Sequence, residues 1–110
     1  MDDCQAILMF GALSQITRLN VLRNLVIAGP EGLAAGRIAE LAGVSSSNIS
    51  FHLKEMEHAG LIRMRRESRS IIYSARYETL ASLVEFLIRD CCSGHPAVCS
   101  AATSDKTAKA

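Results

Sequence analysis

The chain has 110 residues, of which 49% are hydrophobic, 21% are charged and 5% are aromatic, with no tryptophan. These values predict one soluble, largely helical domain with an aliphatic core, small enough to gain stability from a partner subunit. No segment approaches the ~18 uninterrupted apolar residues of a membrane span. The acidic start Met1-Asp2-Asp3 is unlike a signal peptide, so we expect a cytoplasmic protein with no membrane partner.

Positive charge is concentrated in the middle of the chain. The whole chain carries a net charge of only +1, but residues 43–76 contain six Lys or Arg against three Asp or Glu. The remaining residues contain six against eight, a balance of −2. This distribution favours the central segment as the part that meets an acidic partner such as nucleic acid.

Hydrophobic periodicity predicts five helices, at residues 4–13, 15–29, 37–43, 46–60 and 77–90. Alternating residues predict a hairpin with strands at 61–66 and 71–75, and residues 31–36 are expected to be a loop or a short extended piece. Ser14 and Ser45 are expected to cap the second and fourth helices. In the second helix, the apolar residues Ile16, Leu19, Leu22 and Val26 follow helical spacing, and Gly29-Pro30 should end the helix.

A short helix, a turn through Gly43, a polar-faced helix and an arginine-rich hairpin together predict a winged helix-turn-helix. The fold is thus mainly α with a small β-hairpin wing (α+β), over residues 1–90, followed by a partly disordered tail at 91–110. If Ile49 and Leu53 are buried, the other face of that helix can bond to base edges and phosphates. The candidate DNA contacts are Ser46, Ser47, Asn48, Ser50, His52, Lys54, Arg63, Arg65, Arg66 and Arg69.

Several of these residues have a second interpretation. The serines could serve only to cap the helix, and the hairpin arginines could form only a solvated face. His52 either contacts a phosphate or is hydrogen-bonded within the domain, and His58 is expected at the surface near the helix end. An outward Phe51 either packs on a thymine methyl group or rests against the wing.

Three segments, "ALSQITRLNVLRNL", "IAELAGVSSSNISFHLKEMEHAGLI" and "RRESRSIIY", resemble the ArsR/SmtB family of metal-responsive bacterial repressors, over about residues 8–90. The resemblance implies a homodimeric winged helix repressor, not an enzyme, that releases operator DNA when a metal or metalloid binds. The apolar first and last helices independently favour a two-fold dimer, which would set two recognition helices roughly 34 Å apart on an inverted repeat. The expected dimer contacts are Ile7, Leu8, Phe10, Leu83 and Leu87.

Both sensing sites common in the family are missing from this sequence. The third-helix region reads "GLAAGRIAEL", without cysteine or histidine, where one subgroup carries a "CVC" motif. The last helix, "YETLASLVEFLIRD", has no histidine, where another subgroup places Asp and His ligands. A sensor in this chain is therefore expected to lie elsewhere.

The C-terminal cysteines Cys91, Cys92 and Cys99 are the obvious sensor candidates. Cytoplasmic thiols normally stay reduced, and three thiolates suit a trigonal thiophilic centre such as As(III) or Sb(III). Some arsenic-responsive members of the family have a similar cysteine cluster, and the resemblance implies the same role for this one. The inducer would not be required for folding.

Other uses of the cysteines stay open. Cd(II), Pb(II), Hg(II) or Zn(II) could bind, with His95 as a fourth ligand, or oxidation could be the signal. The cysteines could also be incidental. A catalytic cysteine is disfavoured because the pair follows a helix C-terminus, where the dipole opposes thiolate formation. We expect Cys4 to be a buried small hydrophobe, although it could approach the tail.

Overall fold

Six α-helices and three strands make up the part of the chain that the computed structural model describes, residues 1–91 and 93–103. The helices are α1 (Asp3–Ala12), α2 (Ile16–Ala28), α3 (Ala35–Ala42), α4 (Ser46–His58), α5 (Tyr77–Phe86) and α6 (Pro96–Thr103). The strands are β1 (Leu33–Ala34), β2 (Ile62–Glu67) and β3 (Ser70–Ala75). The predicted fold class, mainly helical with a small hairpin wing, is confirmed.

The start of α2 differs from the prediction. Ser14 does not cap this helix, because its hydroxyl donates a hydrogen bond to the Gly11 carbonyl at 2.7 Å, at the end of α1. Gln15 occupies the cap position and makes no side-chain cap bond. The end of α2 is as predicted, since Gly29 follows Ala28 with a positive φ of 83°.

The apolar stripe predicted for α2 is only partly the buried one. Leu22 is buried, but Ile16 is 69% exposed and Val26 is exposed as well. The buried residues follow the spacing i, i+3, i+4 and i+7, a regular helical stripe displaced from the expected one. They are Arg18, Val21, Leu22 and Leu25.

The turn and helix that follow α3 match the prediction closely. Gly43 adopts a left-handed conformation with φ 71°, and the Ser45 hydroxyl accepts a hydrogen bond from the Asn48 backbone N–H at 3.2 Å. At the other end of α4, Gly60 has φ 88° and the Leu61 N–H donates to the Met56 carbonyl at 3.0 Å. This is the pattern that ends a helix and redirects the chain, here into β2.

The strands form one antiparallel sheet in the order β1-β3-β2. The hairpin register pairs Ile62 with Ala75 and Glu67 with Ser70, and Leu33 of β1 pairs with Tyr73. Gly32 precedes β1 with φ 72°, and a Cβ atom there would collide with the backbone carbonyl of Tyr73. Glycine is therefore required at the point where the chain enters the sheet.

A single apolar cluster joins the helices to the base of the hairpin. Its fully buried large side chains come from α1, α2, α3, α4 and the start of β2, and α5 adds Leu83 and Phe86. The large members are Met9, Val21, Leu25, Ile38, Ile49, Leu53, Met56, Leu61 and Ile62. Because Ile49, Leu53 and Met56 are buried here, the opposite face of α4 is held outward.

The end of α5 is less regular than the continuous helix predicted for residues 77–90. A π-helical turn, Leu87–Cys91, follows Phe86. Ser93 and Gly94 then take positive φ values of 52° and 68°, the Gly94 N–H donates to the Ile88 carbonyl at 2.7 Å, and α6 begins at Pro96. The sequence did not predict α6. None of the described helices is long and apolar enough to cross a membrane.

Candidate DNA-binding surface

The outward face of α4 carries short polar side chains and one lysine. Five of its six predicted DNA contacts are exposed: Ser46, Ser47, Asn48, Ser50 and Lys54. Ser45 precedes them and bonds to the Asn48 N–H, so the cap satisfies a backbone donor while the Ser46, Asn48 and Ser50 side chains stay outward. These groups can donate to and accept from base edges without steric obstruction by the protomer.

Arg63 on β2 is already engaged within the protomer. Its Nη2 donates to Glu78 Oε2 at 2.7 Å, which joins the base of the hairpin to the first turn of α5. Both side chains are more than half exposed, so the pair contributes little to stability. Its main effect is to neutralise one of the predicted DNA-contacting charges.

Arg65 has three partners and positions the hairpin. Its Nε donates to Glu67 Oε2 at 2.9 Å. Its Nη1 donates to the Pro30 carbonyl at 3.3 Å and its Nη2 to the Glu31 carbonyl at 2.8 Å. The guanidinium therefore ties β2 to the loop before β1, and its role inside the protomer is structural.

Arg66 and Arg69 lie towards the tip of the hairpin and are exposed. Within residues 1–91 and 93–103, no hydrogen bond or ion pair engages either guanidinium, and the same holds for Lys54 on α4. Three of the predicted cations are thus available to phosphates, whereas Arg63 and Arg65 have partners already.

His52 is half-buried and is used inside the domain. Arg18 Nε donates to His52 Nδ1 at 2.9 Å, so the imidazole accepts with Nδ1 and carries its proton on Nε2. Desolvation by burial, followed by the charge of Arg18, lowers the pKa of His52. Of the two interpretations of this residue, the structure supports the one in which it is hydrogen-bonded within the domain.

Arg18 is the residue that sequence reasoning missed. It is only 6% exposed, and its guanidinium carbon lies 5.7 Å from the centroid of the Phe51 ring. The signal was present, since Arg18 has helical spacing with Val21, Leu22 and Leu25, all of which are buried. A charge on a buried stripe needs a partner, and His52 and Phe51 provide it.

Phe51 lies on the outward face of α4 and is 59% exposed. Its ring packs edge-on against His52, with 5.9 Å between centroids and an interplanar angle of 63°. The ring therefore has a cation–π contact with Arg18 and an aromatic contact with His52. His58 is exposed in the last turn of α4, as expected.

Comparison with known proteins decides the family. A model of a helix-turn-helix domain matches residues 13–65, which include α2, α3, α4 and the first part of β2. The chain is 35% identical over 78 residues to the uncharacterized HTH-type transcriptional regulator YceK of Bacillus subtilis (strain 168), covering 71% of this chain and 77% of the relative. The chain belongs to the helix-turn-helix transcriptional regulators. This is a family of DNA-binding regulators and not of enzymes.

Solved structures give the same fold for this regulator. An ArsR-like transcriptional regulator from Rhodococcus sp. RHA1 superposes with a TM-score of 0.72 at 24% identity, over 94% of this chain and 95% of that one. A homodimeric winged helix-turn-helix DNA-binding domain, Mb0332 from Mycobacterium bovis, superposes with a TM-score of 0.64 at 23% identity, over 86% and 94%. The regulator therefore has the winged helix-turn-helix fold of these structures.

The terminal helices of the regulator expose part of their apolar surface. Ile7, Leu8 and Phe10 on α1 are exposed, as is Leu87 after α5. Leu83 is not, because it is only 6% exposed within the protomer core, so its placement among the surface dimer contacts was wrong. Val84, the next residue, is exposed in its place.

The structure describes only part of the cysteine cluster. Cys99 lies on α6 and is half-buried, the backbone of Cys91 closes the π-helical turn, and Cys92 and the side chain of Cys91 lie outside the described residues. Among the residues that are described, no three His, Cys, Asp or Glu side chains are grouped so that they could hold a metal ion.

Two other candidates for the sensor site are placed clearly. Cys4 is exposed on α1, which corrects the expectation that it is buried. His95 immediately precedes α6, and its Nδ1 accepts a hydrogen bond from the Ala97 backbone N–H at 3.0 Å. His95 therefore caps α6 and has only Nε2 left for any ligand.

Proposed function

We propose that this regulator is a homodimeric repressor that binds an inverted-repeat operator and is released by trivalent arsenic or antimony bound to Cys91, Cys92 and Cys99. The observation that carries the DNA-binding part is that α4 and the hairpin that follows it both expose polar or charged side chains that have no partner within the part of the protomer that the structure describes. The polar face of α4 is outward, and Arg66 and Arg69 on the neighbouring hairpin have no partner among the described residues.

The arrangement suits the duplex in a specific way. The first turns of α4 enter the major groove, where the Ser46, Asn48 and Ser50 side chains meet base edges. Lys54 and the arginines at the hairpin tip neutralise phosphates on either side of the groove. Arg63 and Arg65 hold the hairpin in position, because their guanidinium groups bond to Glu78 and to the loop before β1.

The dimer follows from the exposed apolar surface of α1. Ile7, Leu8 and Phe10 are costly to leave in water, and a second copy of the same surface would cover them. Mb0332, whose fold is similar, is a homodimer. Two protomers would then present their α4 helices to successive major grooves, roughly 34 Å apart.

The inducer is inferred from the chemistry of the donor set. Three cysteine thiolates are soft ligands and need no fourth partner around a trigonal As(III) or Sb(III) centre. Between Cys91 and Cys99, Ser93 and Gly94 form a turn with positive φ values, and the Gly94 N–H donates to the Ile88 carbonyl just after α5. This turn supports the idea that α6 and the end of α5 can be joined by one ligand.

The switch would act on the π-helical turn. A π-helical turn is less stable than an α-helical one, and such turns are frequent at functional sites. Binding of the inducer between Cys99 and the Cys91-Cys92 pair would change the last turn after α5 and with it the separation of the two α4 helices. A difference of about 1–3 kcal/mol in coupling is enough to release a repressor.

A titration of operator DNA tests this proposal. A duplex selected from a random pool by the full chain is bound in a mobility-shift assay, and sodium arsenite is then added to the wild type, a Cys91→Ser/Cys92→Ser variant and a matched Cys4→Ser control. Arsenite should release the wild type and the Cys4→Ser control but not the double variant.

The result that would contradict the inducer is normal release of the double variant by arsenite. Parallel titrations with Cd(II) and with hydrogen peroxide separate the metalloid from the alternative signals. Release by peroxide alone would replace the proposed inducer with oxidation of the same cysteines, and release by Cd(II) alone would replace it with a divalent metal.

A further inference from the structure

Phe51 has an unusual position for a large aromatic residue. It lies four residues after Ser47 and three before Lys54, so all three share the outward face of α4. The other apolar residues of this helix, Ile49, Leu53 and Met56, are buried in the core. Phe51 is therefore the one apolar side chain that α4 presents outward.

The ring is held in place before any ligand arrives. The buried Arg18 guanidinium lies 5.7 Å from the centroid of the Phe51 ring. The His52 ring packs against the Phe51 ring in an edge-to-face arrangement, with 5.9 Å between the two centroids. Arg18 is itself fixed by the 2.9 Å hydrogen bond to His52. A side chain fixed in this way loses little conformational freedom when it binds, which favours its use in recognition.

The major groove offers an apolar ring one distinctive partner. Among the base edges exposed there, the thymine C5-methyl group is the apolar feature, and the other groups are hydrogen-bond donors and acceptors. The serine and asparagine side chains near Phe51 can form hydrogen bonds with those donors and acceptors. An aromatic ring on the same face of α4 gains binding free energy only where it packs against a methyl group.

We propose that Phe51 is a specificity-determining residue that selects a thymine in each operator half-site by packing its ring on the C5-methyl group. Arg18 and His52 are positioning residues for that ring. The inference rests on the proposed function, since it requires α4 to lie in the major groove. The competing explanation is that the ring only shields the Arg18–His52 hydrogen bond from water.

The experiment replaces thymine with deoxyuridine, which lacks only the methyl group. Duplexes selected from a random pool by the full chain are resynthesised with one symmetric pair of thymines changed at a time, and dissociation constants are measured by fluorescence anisotropy. Burial of one methyl group contributes about 0.8 kcal/mol, or about fourfold in affinity. One pair should therefore weaken wild-type binding about 16-fold, since the fourfold loss occurs at both half-sites.

Two variants complete the design. Phe51→Ala should bind the thymine and deoxyuridine duplexes equally at that pair, whereas Ile27→Ala, an exposed apolar residue on α2, should discriminate like the wild type. The proposal is overturned if the wild type binds every deoxyuridine duplex as well as its parent, or if Phe51→Ala keeps the discrimination. The melting temperature of Phe51→Ala tests whether the ring shields the Arg18–His52 hydrogen bond, because loss of shielding would lower it. If this variant does not fold, the comparison of thymine and deoxyuridine duplexes with the wild type still decides whether a methyl group is recognised. Failure to select any duplex would instead refute the proposed function.

Discussion

The outward face of α4 and the exposed face of α1 differ in the partner that can satisfy them. On α4, serines, an asparagine and Lys54 share the exposed surface with Phe51, and the polar side chains can form hydrogen bonds with water or with DNA. On α1, Ile7, Leu8 and Phe10 expose apolar surface that only another apolar surface can cover. The first face fits a polar polymer, and the second fits a protein.

The two faces also differ in whether one protomer is enough to form them. The α4 face is fully formed in one protomer, because Ser45 caps the helix and the buried side of α4 fixes its orientation on the core. The α1 face leaves its apolar side chains uncovered in the protomer, and the proposed dimer would cover them. We therefore expect substitutions on the exposed face of α1 to act on every function that needs two protomers, and those on the outward polar face of α4 to act on DNA contacts.

The largest effect is expected from Ile7→Glu. Ile7 is 66% exposed, so a carboxylate is tolerated in the protomer but not in a dimer contact. Loss of the dimer removes the gain from linking two half-sites, roughly 10²–10⁴-fold in affinity. Sedimentation equilibrium and fluorescence anisotropy with a selected duplex measure the two effects.

Ile27→Glu is the matched control for that prediction. Ile27 is also strongly exposed, but it lies near the end of α2 and is not among the expected dimer contacts. It should sediment as a dimer and keep its DNA affinity. A dimeric Ile7→Glu variant would show that the α1 face is not the dimer contact and would remove the contrast between the two faces.

A smaller effect is expected from the cations at the hairpin tip. Arg66→Ala/Arg69→Ala should reduce the slope of log affinity against log salt by about one per lost phosphate contact, or about four in the dimer. Arg63→Ala should change the slope by clearly less than the two expected for one free arginine in each protomer, because its guanidinium already pairs with Glu78. A change of two for Arg63→Ala would contradict the distinction between free and engaged arginines.

The parts of the fold that the sequence predicted have local causes. Alternation around Arg63 and Arg65 predicted the hairpin, and Ser45 and Gly60 marked the ends of α4. Each of these signals acts between residues close in sequence, through a cap, a turn or a strand period. The polar face of α4 was predicted for the same reason, since Ile49 and Leu53 alone define which side is buried.

The parts that the sequence did not predict depend on contacts between distant residues. Two stripes of α2 have helical spacing, and only the packing of α2 against α3, α4 and β3 decides that Arg18, and not Ile16, is buried. His52 is 34 residues from Arg18, so no local pattern indicates their hydrogen bond. Leu83 is similar, because its apolar side chain suits a core and a dimer contact equally well.

The smallest effect is expected from pH, acting on the hydrogen bond beneath the α4 face. Burial and the charge of Arg18 lower the pKa of His52, so the folded protein holds this histidine neutral where the unfolded chain, with a pKa of about 6.5, begins to protonate. The unfolded state therefore binds more protons in this window, and stability rises with pH. The contribution is complete above the unfolded pKa and is lost as pH falls through it towards the folded pKa.

A matched variant isolates this contribution. His52→Asn keeps an acceptor near the position of Nδ1 but does not titrate, so it should lose less stability than the wild type between pH 7.5 and pH 5.5. Urea unfolding midpoints of the two proteins are measured at intervals of half a pH unit. Subtracting one curve from the other leaves the contribution of His52, because the other titrating groups are the same in both proteins. Parallel curves for the two proteins would mean that folding does not lower the pKa of His52, and that the Arg18–His52 hydrogen bond does not hold the imidazole neutral. The support for the Phe51 ring would then have to come from packing alone, and the α4 face would be less rigidly held than the short Arg18–His52 distance implies.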